Sequence, residues 1–317
     1  MFQWIEWPKQ RFAWISVAAA IITMAVKFAA YSITGSVGLL SDALESIVNL
    51  TAALLAVRLL NIASKPPDED HAYGHSKAEY FSSLFEGSLI LIAALSILIT
   101  GVHRLIEPQP IENIGLGLVI SLSASMLNLA VARVLLRVGR VHQSIALEAD
   151  GQHLMTDVWT SFSVLIGVAV VGVSGWLRLD AIIALGMALY IGRTGYNLTR
   201  RSLLGLMDTA LPEAEIQKVR DVLETYSREG ISFHALRTRQ AGTRNFVSMH
   251  ILIPGDWSVQ QGHNFVESIE EDIHQAVPFT TVFIHMEPRE DPRSWRDIDL
   301  DHRLASDPQN GDSSPRT

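Results

Sequence analysis

The sequence contains no cysteine among its 317 residues, which excludes disulfide bonds and thiolate metal sites. Any metal must therefore be held by histidine, carboxylate, amide or backbone oxygen ligands. Positive charge is scarce as well, because the formal net charge is -8, and the chain lacks the basic surface typical of nucleic-acid binding. The first residues, MFQWIEWPKQRFAW, lack the short apolar core and the small-residue cleavage site of a signal peptide, so we expect no processing.

Apolar residues are abundant instead, at 48% of the chain with a mean hydropathy of +0.23. Runs long enough to cross a bilayer predict a six-helix transmembrane domain over residues 1–207. Basic residues collect on the side that carries both termini, so the positive-inside rule predicts that both termini are cytoplasmic. The apolar runs lie at residues 11–33, 38–60, 79–102, 113–136, 146–173 and 177–199.

From residue 208 onwards the sequence becomes more polar. Helical periodicity in LPEAEIQKVRDVLETYSREG and SVQQGHNFVESIEEDIHQA, with strand patterns in HALRTRQ, FVSMHILI and TTVFIHMEP, gives an αββαβ order. This order is typical of a small α+β domain with an open, ferredoxin-like sheet, which we predict over residues 208–288. Residues 289–317 are rich in Asp, Arg, Ser and Pro, and we expect a disordered tail there.

Two of the apolar runs carry polar residues at a helical spacing of four. His153 and Asp157 lie one turn apart on the fifth run, and Glu45 and Asn49 repeat that spacing on the second. Charge inside a bilayer is costly unless a cavity or ligand compensates it, and two such faces can form one four-ligand cation site. Asp42 precedes Glu45 by about one turn and is predicted to lie at the cavity mouth or to act as a fifth ligand. The alternative is that these groups merely hydrogen-bond the helices together.

The loop after the second run, PPDEDHAYGHSKAEY, holds Asp68, His71 and His75 within eight residues. One carboxylate and two imidazoles form a zinc-type ligand set, and the alternative is a solvated polar loop. Two further polar residues of the membrane runs, Lys27 and Glu86, are interpreted as structural, because Lys27 is close enough to a helix end to reach the interface and Glu86 lies about two turns into the third helix.

Histidines also recur in the soluble part of the sequence. His234, His250 and His285 each fall on a predicted strand, and His263 lies near the start of the second predicted helix. Glu287 follows His285 by two residues, so strand alternation places both on one face of the sheet. The pattern indicates a second metal site, and the alternative is a set of ordinary surface histidines.

Four motifs resemble the cation diffusion facilitator family over residues 10–288. They are TGSVGLLSDALES in the second run, DEDHAYGHSKAEY in the loop, EADGQHLMTDV in the fifth run and DTALP before the soluble domain. The resemblance implies a homodimeric exporter of divalent transition metals in the inner (cytoplasmic) membrane, driven by proton influx. It also implies that the cytoplasmic domain binds metal and helps to hold the dimer.

The same resemblance assigns roles to individual residues. It places the transport site at Glu45, Asn49, His153 and Asp157, the loop site at Asp68, His71 and His75, and the cytoplasmic site at His234, His250, His263, His285 and Glu287. Lys77 and Asp208 match a charge pair that links the membrane and soluble domains in similar proteins.

One position departs from the family pattern. Zinc-handling members usually have Asp or His, then Asp, where this chain has Glu45 and Asn49. The amide oxygen is a neutral, hard ligand, and it favours manganese or iron, although zinc remains the first expectation.

The sequence therefore predicts a proton-coupled antiporter that exports a divalent cation by alternating access, and it does not predict an enzyme. His153 is the preferred proton carrier, because an imidazole is readily protonated in an empty site and must be neutral to bind metal. One alternative is an intramembrane metal-dependent hydrolase, although the sequence has no H-E-x-x-H motif. Another is a membrane-tethered metal sensor, which leaves the spaced pairs of the membrane runs without a purpose.

Overall fold

The computed structural model describes residues 7–34, 37–108, 115–227 and 231–295. The chain divides into two compact units, Met1–Met207 and Asp208–Thr317. Within the described residues, the first unit contains six long helices, one at each apolar run of the sequence. They are α1 (Lys9–Thr34), α2 (Val37–Ala63), α3 (Ala78–Ile106), α4 (Gly115–Val141), α5 (Ile145–Ser174) and α6 (Arg178–Leu206).

Five helical segments in the described part of the chain are long and apolar enough to cross a membrane. Helix α6 is also long, at 29 residues, but it is less apolar because it carries four arginines and an aspartate. The first unit is therefore helical with five candidate spans, and a sixth span at α6 remains a prediction. The five segments are Lys9–Ile33, Ala43–Ala63, Ala78–Ile106, Leu122–Val141 and Ile145–Ser174.

The six helices pack as a group of four and a pair. Helices α1, α2, α4 and α5 share one apolar core, in which Phe12, Leu60, Leu135 and Leu147 are fully buried. Helices α3 and α6 pack along each other and also against α5. This second cluster consists of Tyr80, Ile90, Ala94, Ile145, Ala149, Ile191 and Leu198.

Charged side chains join the pair to the group of four. Glu79 of α3 is 1% exposed and accepts hydrogen bonds from Lys9 Nζ at 2.8 Å and from Ser144 Oγ at 2.5 Å. Ser144 is also the N-cap of α5. Arg201 of α6 donates to Glu148 of α5 at 2.6 Å. These contacts supply partners to carboxylates that would be costly to bury alone.

The second unit has the αββαβ order expected from its sequence. Its three-stranded sheet has the order β1-β2-β3, with β1 and β2 antiparallel and β2 and β3 parallel. Met249 and Ile251 of β2 are buried in one cluster with residues of both helices, so the helices cover one face of the sheet. The elements are α7 (Glu213–Ser227), β1 (Ser232–Ala241), β2 (Arg244–Ile253), α8 (Val259–Ala276) and β3 (Thr280–Pro288).

The described part of the predicted tail has a defined conformation. Pro292–Trp295 form a short 3-10 helix after β3. The Arg289 N–H donates to the Ile253 carbonyl at 2.9 Å, and Trp295 Nε1 donates to the Arg289 carbonyl at 3.0 Å. Residues 289–295 therefore extend the second unit, which corrects the expectation of a disordered tail from residue 289. Residues 296–317 lie outside the described part of the chain.

The packing of α6 on α3 depends on the absence of a side chain at Gly205. A Cβ at this buried position would overlap the ring of Tyr80, whereas nothing lies within 4 Å of a Cβ built at Gly186 of the same helix. We expect Gly205→Ala to destabilise the membrane unit by about 1 to 3 kcal/mol through overpacking. Gly186→Ala is the matched control and should leave stability unchanged or slightly raised. Thermal unfolding in detergent measures both, and equal melting temperatures would contradict this account of the packing.

Candidate metal centres

Helices α2 and α5 bring three of the predicted transport-site residues into one network. Asn49 Nδ2 donates to Asp157 Oδ2 at 2.9 Å. The Asn49 carbonyl oxygen then faces His153, whose Nε2 lies 3.0 Å away. His153 is buried, and Asn49 and Asp157 are half-buried. The four-residue spacing on each helix thus places an imidazole, an amide and a carboxylate together.

The two remaining predicted residues of this site lie earlier on α2. Glu45 is one turn before Asn49, has an exposed side chain and interacts electrostatically with His153. Asp42 belongs to α2, but its side chain lies outside the described part of the chain. Three of the four predicted ligands, Asn49, His153 and Asp157, therefore lie together in the structure. The fourth, Glu45, lies on the adjacent turn of α2.

Two buried carboxylates beside this network were not predicted to belong to a metal centre. Asp150 of α5 is 2% exposed and accepts a hydrogen bond from Ser16 Oγ at 2.9 Å. Glu86 of α3 is 1% exposed, and its Oε2 lies 3.6 Å from His153 Nδ1. The helical stripe of Asp150, His153 and Asp157 was a usable sequence signal. Glu86 had no such signal, because its position depends on the packing of α3 against α5.

The loop between α2 and α3 gathers its three predicted ligands. Asp68 Oδ1 lies 3.3 Å from His71 Nδ1, and Oδ2 lies 3.2 Å from His75 Nε2. All three residues offer ligand atoms within 4.8 Å of one another. Gly74, with a φ of 82°, donates its N–H to the His71 carbonyl at 2.8 Å and so turns the chain between the two histidines. One carboxylate and two imidazoles fit a zinc ion with an open fourth position.

The charge of Asp68 is stabilised by the loop itself. The backbone N–H of His71 donates to Asp68 Oδ1 at 2.7 Å and, with help from His75, holds the pKa of that carboxyl below its usual 3.8. The carboxylate therefore remains charged in mildly acidic solution.

The sheet of the second unit lines up three histidines. His234 pairs with His250 across β1 and β2, and His250 pairs with His285 across β2 and β3. Glu287 is two residues beyond His285, so all four side chains lie on the same face. Glu287 Oε2 lies 2.9 Å from His234 Nε2 and 3.5 Å from His250 Nδ1. The set of His234, His250 and Glu287 has ligand atoms within 4.8 Å of one another and suits a divalent metal.

The other two predicted cytoplasmic ligands take different positions. His285 is 67% exposed, and its Nε2 lies 3.7 Å from Glu287 Oε1 at the edge of the cluster. His263 lies on α8, 3.8 Å from Glu267, and does not join the cluster within one chain. The structure therefore brings together four of the five residues and leaves His263 apart.

Lys77 and Asp208 both contact residues of their own unit. Lys77 Nζ donates to the Leu206 carbonyl at 3.3 Å, and Asp208 Oδ1 accepts from Arg239 Nη1 at 2.9 Å. A charge pair between Lys77 and Asp208 stays a prediction.

Comparison with known proteins identifies the family. The cation efflux transmembrane domain matches residues 13–207, and the cytoplasmic domain of cation efflux proteins matches residues 211–289. The uncharacterized transporter sll1263 of Synechocystis sp. is 48% identical over 288 residues, covering 91% of this chain and 93% of that protein. The cation-efflux pump FieF of Klebsiella pneumoniae is 32% identical over 281 residues, covering 88% of this chain and 92% of the pump.

A solved structure of CzrB in its zinc form is 32% identical and covers 26% of this chain and 93% of its own chain. Its TM-score of 0.25 is too low to support a structural argument. The two matching family domains and the related pumps are sufficient to assign the family without this structure. The chain belongs to the cation efflux, or cation diffusion facilitator, family, as the sequence motifs predicted. It is a multi-pass membrane protein of a family of cation transporters rather than enzymes, with a C-terminal cytoplasmic domain.

The loop centre gives a prediction about pH. Because the His71 backbone N–H keeps the pKa of the Asp68 carboxyl below its usual value, this carboxylate should remain charged and able to bind zinc in mildly acidic solution. Asp68→Asn removes this ligand and should weaken zinc binding by at least about tenfold. The variant should show no additional loss of zinc at acidic pH compared with the wild type. Zinc titration calorimetry from pH 7.5 to 5 would measure this in full-length protein that carries Asp157→Ala and Glu287→Ala to remove the other centres.

The neighbouring Glu69 provides the matched control for this experiment. It lies in the same loop but outside the set of three ligands. If Asp68→Asn and Glu69→Gln bind zinc with equal affinity, Asp68 is a solvated loop carboxylate and the loop centre is wrong.

Proposed function

We propose that the protein is a proton-coupled antiporter that exports a divalent transition metal cation from the cytoplasm by alternating access. The cation is held between α2 and α5 by Glu45, Asn49, His153 and Asp157. The hydrogen-bonded network of Asn49, His153 and Asp157, in the membrane unit of a cation efflux protein, is the observation that supports this proposal.

The network also supports a route for proton exchange. Asn49 donates to Asp157 through its amide nitrogen, so its carbonyl oxygen is an acceptor for a hydrogen on His153 Nε2. A metal ion bound at Nε2 takes the place of that hydrogen, because the ligating nitrogen must present a lone pair. Metal binding on one side therefore releases a proton, and a proton arriving from the other side promotes metal release.

The ligand set favours zinc as the first choice of cation. One imidazole and three oxygen ligands complete the four-coordinate shell that zinc prefers. The neutral Asn49 amide adds oxygen character, so manganese and iron are the competing substrates.

We also propose that α6 is the sixth span and that both termini lie in the cytoplasm, with the protein in the inner membrane. Charged residues lie towards both ends of α6, and Arg104 of α3 donates to Asp180 at 2.9 Å near its beginning. Arg200 and Arg201 lie near its other end, on the side that carries the basic loops. Arg193 is the one charge within the central part of this helix.

The cytoplasmic domain, residues 208–288, is proposed to be a ferredoxin-like module that binds metal and stabilises a homodimer. His234, His250, His285 and Glu287 would hold the ion on the sheet face that the helices leave open. His263 would be a ligand from a second copy, because it lies apart from the cluster within one chain. Lys77 and Asp208 would join the two units as a charge pair.

The transport proposal predicts a proton-dependent metal flux. In proteoliposomes with a fluorescent metal indicator inside, an imposed proton gradient should accelerate zinc uptake, with manganese and iron compared in parallel. Asp157→Ala should reduce the flux by about 100-fold, because it removes both a ligand and the Asn49 partner. Asp180→Asn changes a carboxylate of the membrane unit outside the site and serves as the control. Flux that ignores the proton gradient, or that survives in Asp157→Ala, would reject this mechanism.

The cytoplasmic proposal predicts that zinc stabilises the dimer. For full-length protein in detergent, zinc at 100 times its Kd should add about 2.7 kcal/mol to stability and increase the dimer fraction. Glu287→Gln should lose most of this response, because Glu287 is the carboxylate that contacts three histidines. Glu271→Gln, an exposed acid on α8, is the control. Light scattering and thermal unfolding measure the two effects, and an unchanged response in Glu287→Gln would count against the site.

A further inference from the structure

Glu86 is an unusual side chain for its position. It lies on α3, it is 1% exposed, and neither of its carboxylate oxygens has a hydrogen-bond partner among the described residues. Burying a carboxylate without a hydrogen-bond partner is strongly unfavourable, so a compensating group is expected close to it. The closest ionisable group given by the structure is His153 Nδ1, at 3.6 Å.

His153 also has a ring nitrogen without a hydrogen-bond partner, on the side of the ring that faces Glu86. Its Nδ1 is buried and has no hydrogen-bond partner in the described part of the chain, whereas its Nε2 faces Asn49. The two unsatisfied groups therefore face each other from α3 and α5. A shift of less than 1 Å would bring them from 3.6 Å to the length of a charge-assisted hydrogen bond, about 2.7 to 2.9 Å.

The other nearby carboxylates do not offer this contact. Asp150 also lies on α5; its Oδ1 accepts from Ser16 and its buried Oδ2 has no hydrogen-bond partner in the described part of the chain, but the carboxylate oxygen found near His153 Nδ1 is that of Glu86. Asp157 accepts from Asn49 on the Nε2 side of the network. Glu45 is on α2 and is exposed. Glu86 is the carboxylate that the structure places against Nδ1.

We propose that Glu86 is a positioning residue for the transport site: it accepts the Nδ1 hydrogen of His153 and thereby fixes Nε2 as the nitrogen that binds the cation. In the empty site Nε2 can carry a hydrogen that it donates to the Asn49 carbonyl oxygen. When the cation displaces that hydrogen, the single hydrogen of the neutral imidazole remains on Nδ1 and the Nε2 lone pair binds the cation. A carboxylate in this role also strengthens the imidazole as a ligand. This proposal rests on the proposed transport site and adds to it a residue from a third helix.

The test is a double-mutant cycle on cation affinity. Zinc binding is measured by calorimetry in full-length protein that carries Asp68→Asn and Glu287→Ala, so that the transport site is the remaining centre. Glu86→Gln should weaken binding by about tenfold and Glu86→Leu by up to about 100-fold, because an amide is a weaker acceptor and leucine is none. In a His153→Gln background the same Glu86 substitutions should change affinity by less than about twofold, since coupled residues lose their effect together.

Glu79→Gln is the matched control for this cycle. Glu79 lies on the same helix and is equally buried, but its partners are Lys9 and Ser144. Its substitution should act through stability and show no coupling to His153. Equal coupling of Glu79 and Glu86 to His153 would overturn the positioning role.

A spectroscopic measurement decides the matter if His153→Gln binds too weakly for the cycle. In protein labelled with 15N-histidine, the zinc complex should show a hydrogen on Nδ1 of His153, and Glu86→Leu should lose this signal. Wild-type affinity in Glu86→Leu, or an unchanged ring signal, would overturn the proposal. Wild-type affinity in both Asp157→Ala and His153→Gln would instead reject the transport site itself.

Discussion

A charged side chain is costly inside an apolar bundle unless it has a partner. In the membrane unit, several charged side chains find their partners where the α3/α6 pair packs against the other four helices. Glu79 reaches from α3 to Lys9 and Ser144, and Arg201 of α6 reaches to Glu148 of α5. One apolar cluster holds the group of four together, and the second joins α3 and α6 to each other and to α5. The polar contacts add further connections between the two groups. Any movement between the two groups must exchange or break them.

This division bears on the transport site. Asn49, His153 and Asp157 all belong to α2 and α5, within the group of four, so their hydrogen bonds do not cross between the groups. Glu86 belongs to α3 and approaches His153 from the other group. A relative movement of the groups would therefore alter the Glu86 contact while the ligands keep their mutual geometry. If the proposed transport site binds the cation, such an arrangement would couple its cation affinity to the conformation of the membrane unit while the ligand positions are kept.

Local features of the sequence account for much of this structure. The four-residue spacings placed His153 and Asp157 on one face of α5, and Glu45 and Asn49 on one face of α2, because helix geometry fixes which residues share a face. The packing of α2 on α5 then brings Asn49 to His153 and Asp157. Helix ends were less accurate. The sixth apolar run ends at residue 199, but α6 continues to Leu206, because the apolarity that predicts a span ends before the helical hydrogen bonding does. Glu86 was interpreted as structural, and its approach to His153 could not be predicted, since no local pattern encodes which helix packs against α5.

In the cytoplasmic cluster, too, local sequence patterns predicted which residues share a face, whereas the position of His263 depends on how the helices pack. Strand alternation correctly placed His285 and Glu287 on one face, and the strand register adds His234 and His250 to it. Helix α8 packs through Ile269 and Ile273 against Met249 and Ile251, which alternate with His250 and therefore lie on the opposite face. The sheet thus separates the body of this helix from the cluster. A ligand role for His263 accordingly requires a second chain, placed against the face that the helices leave open.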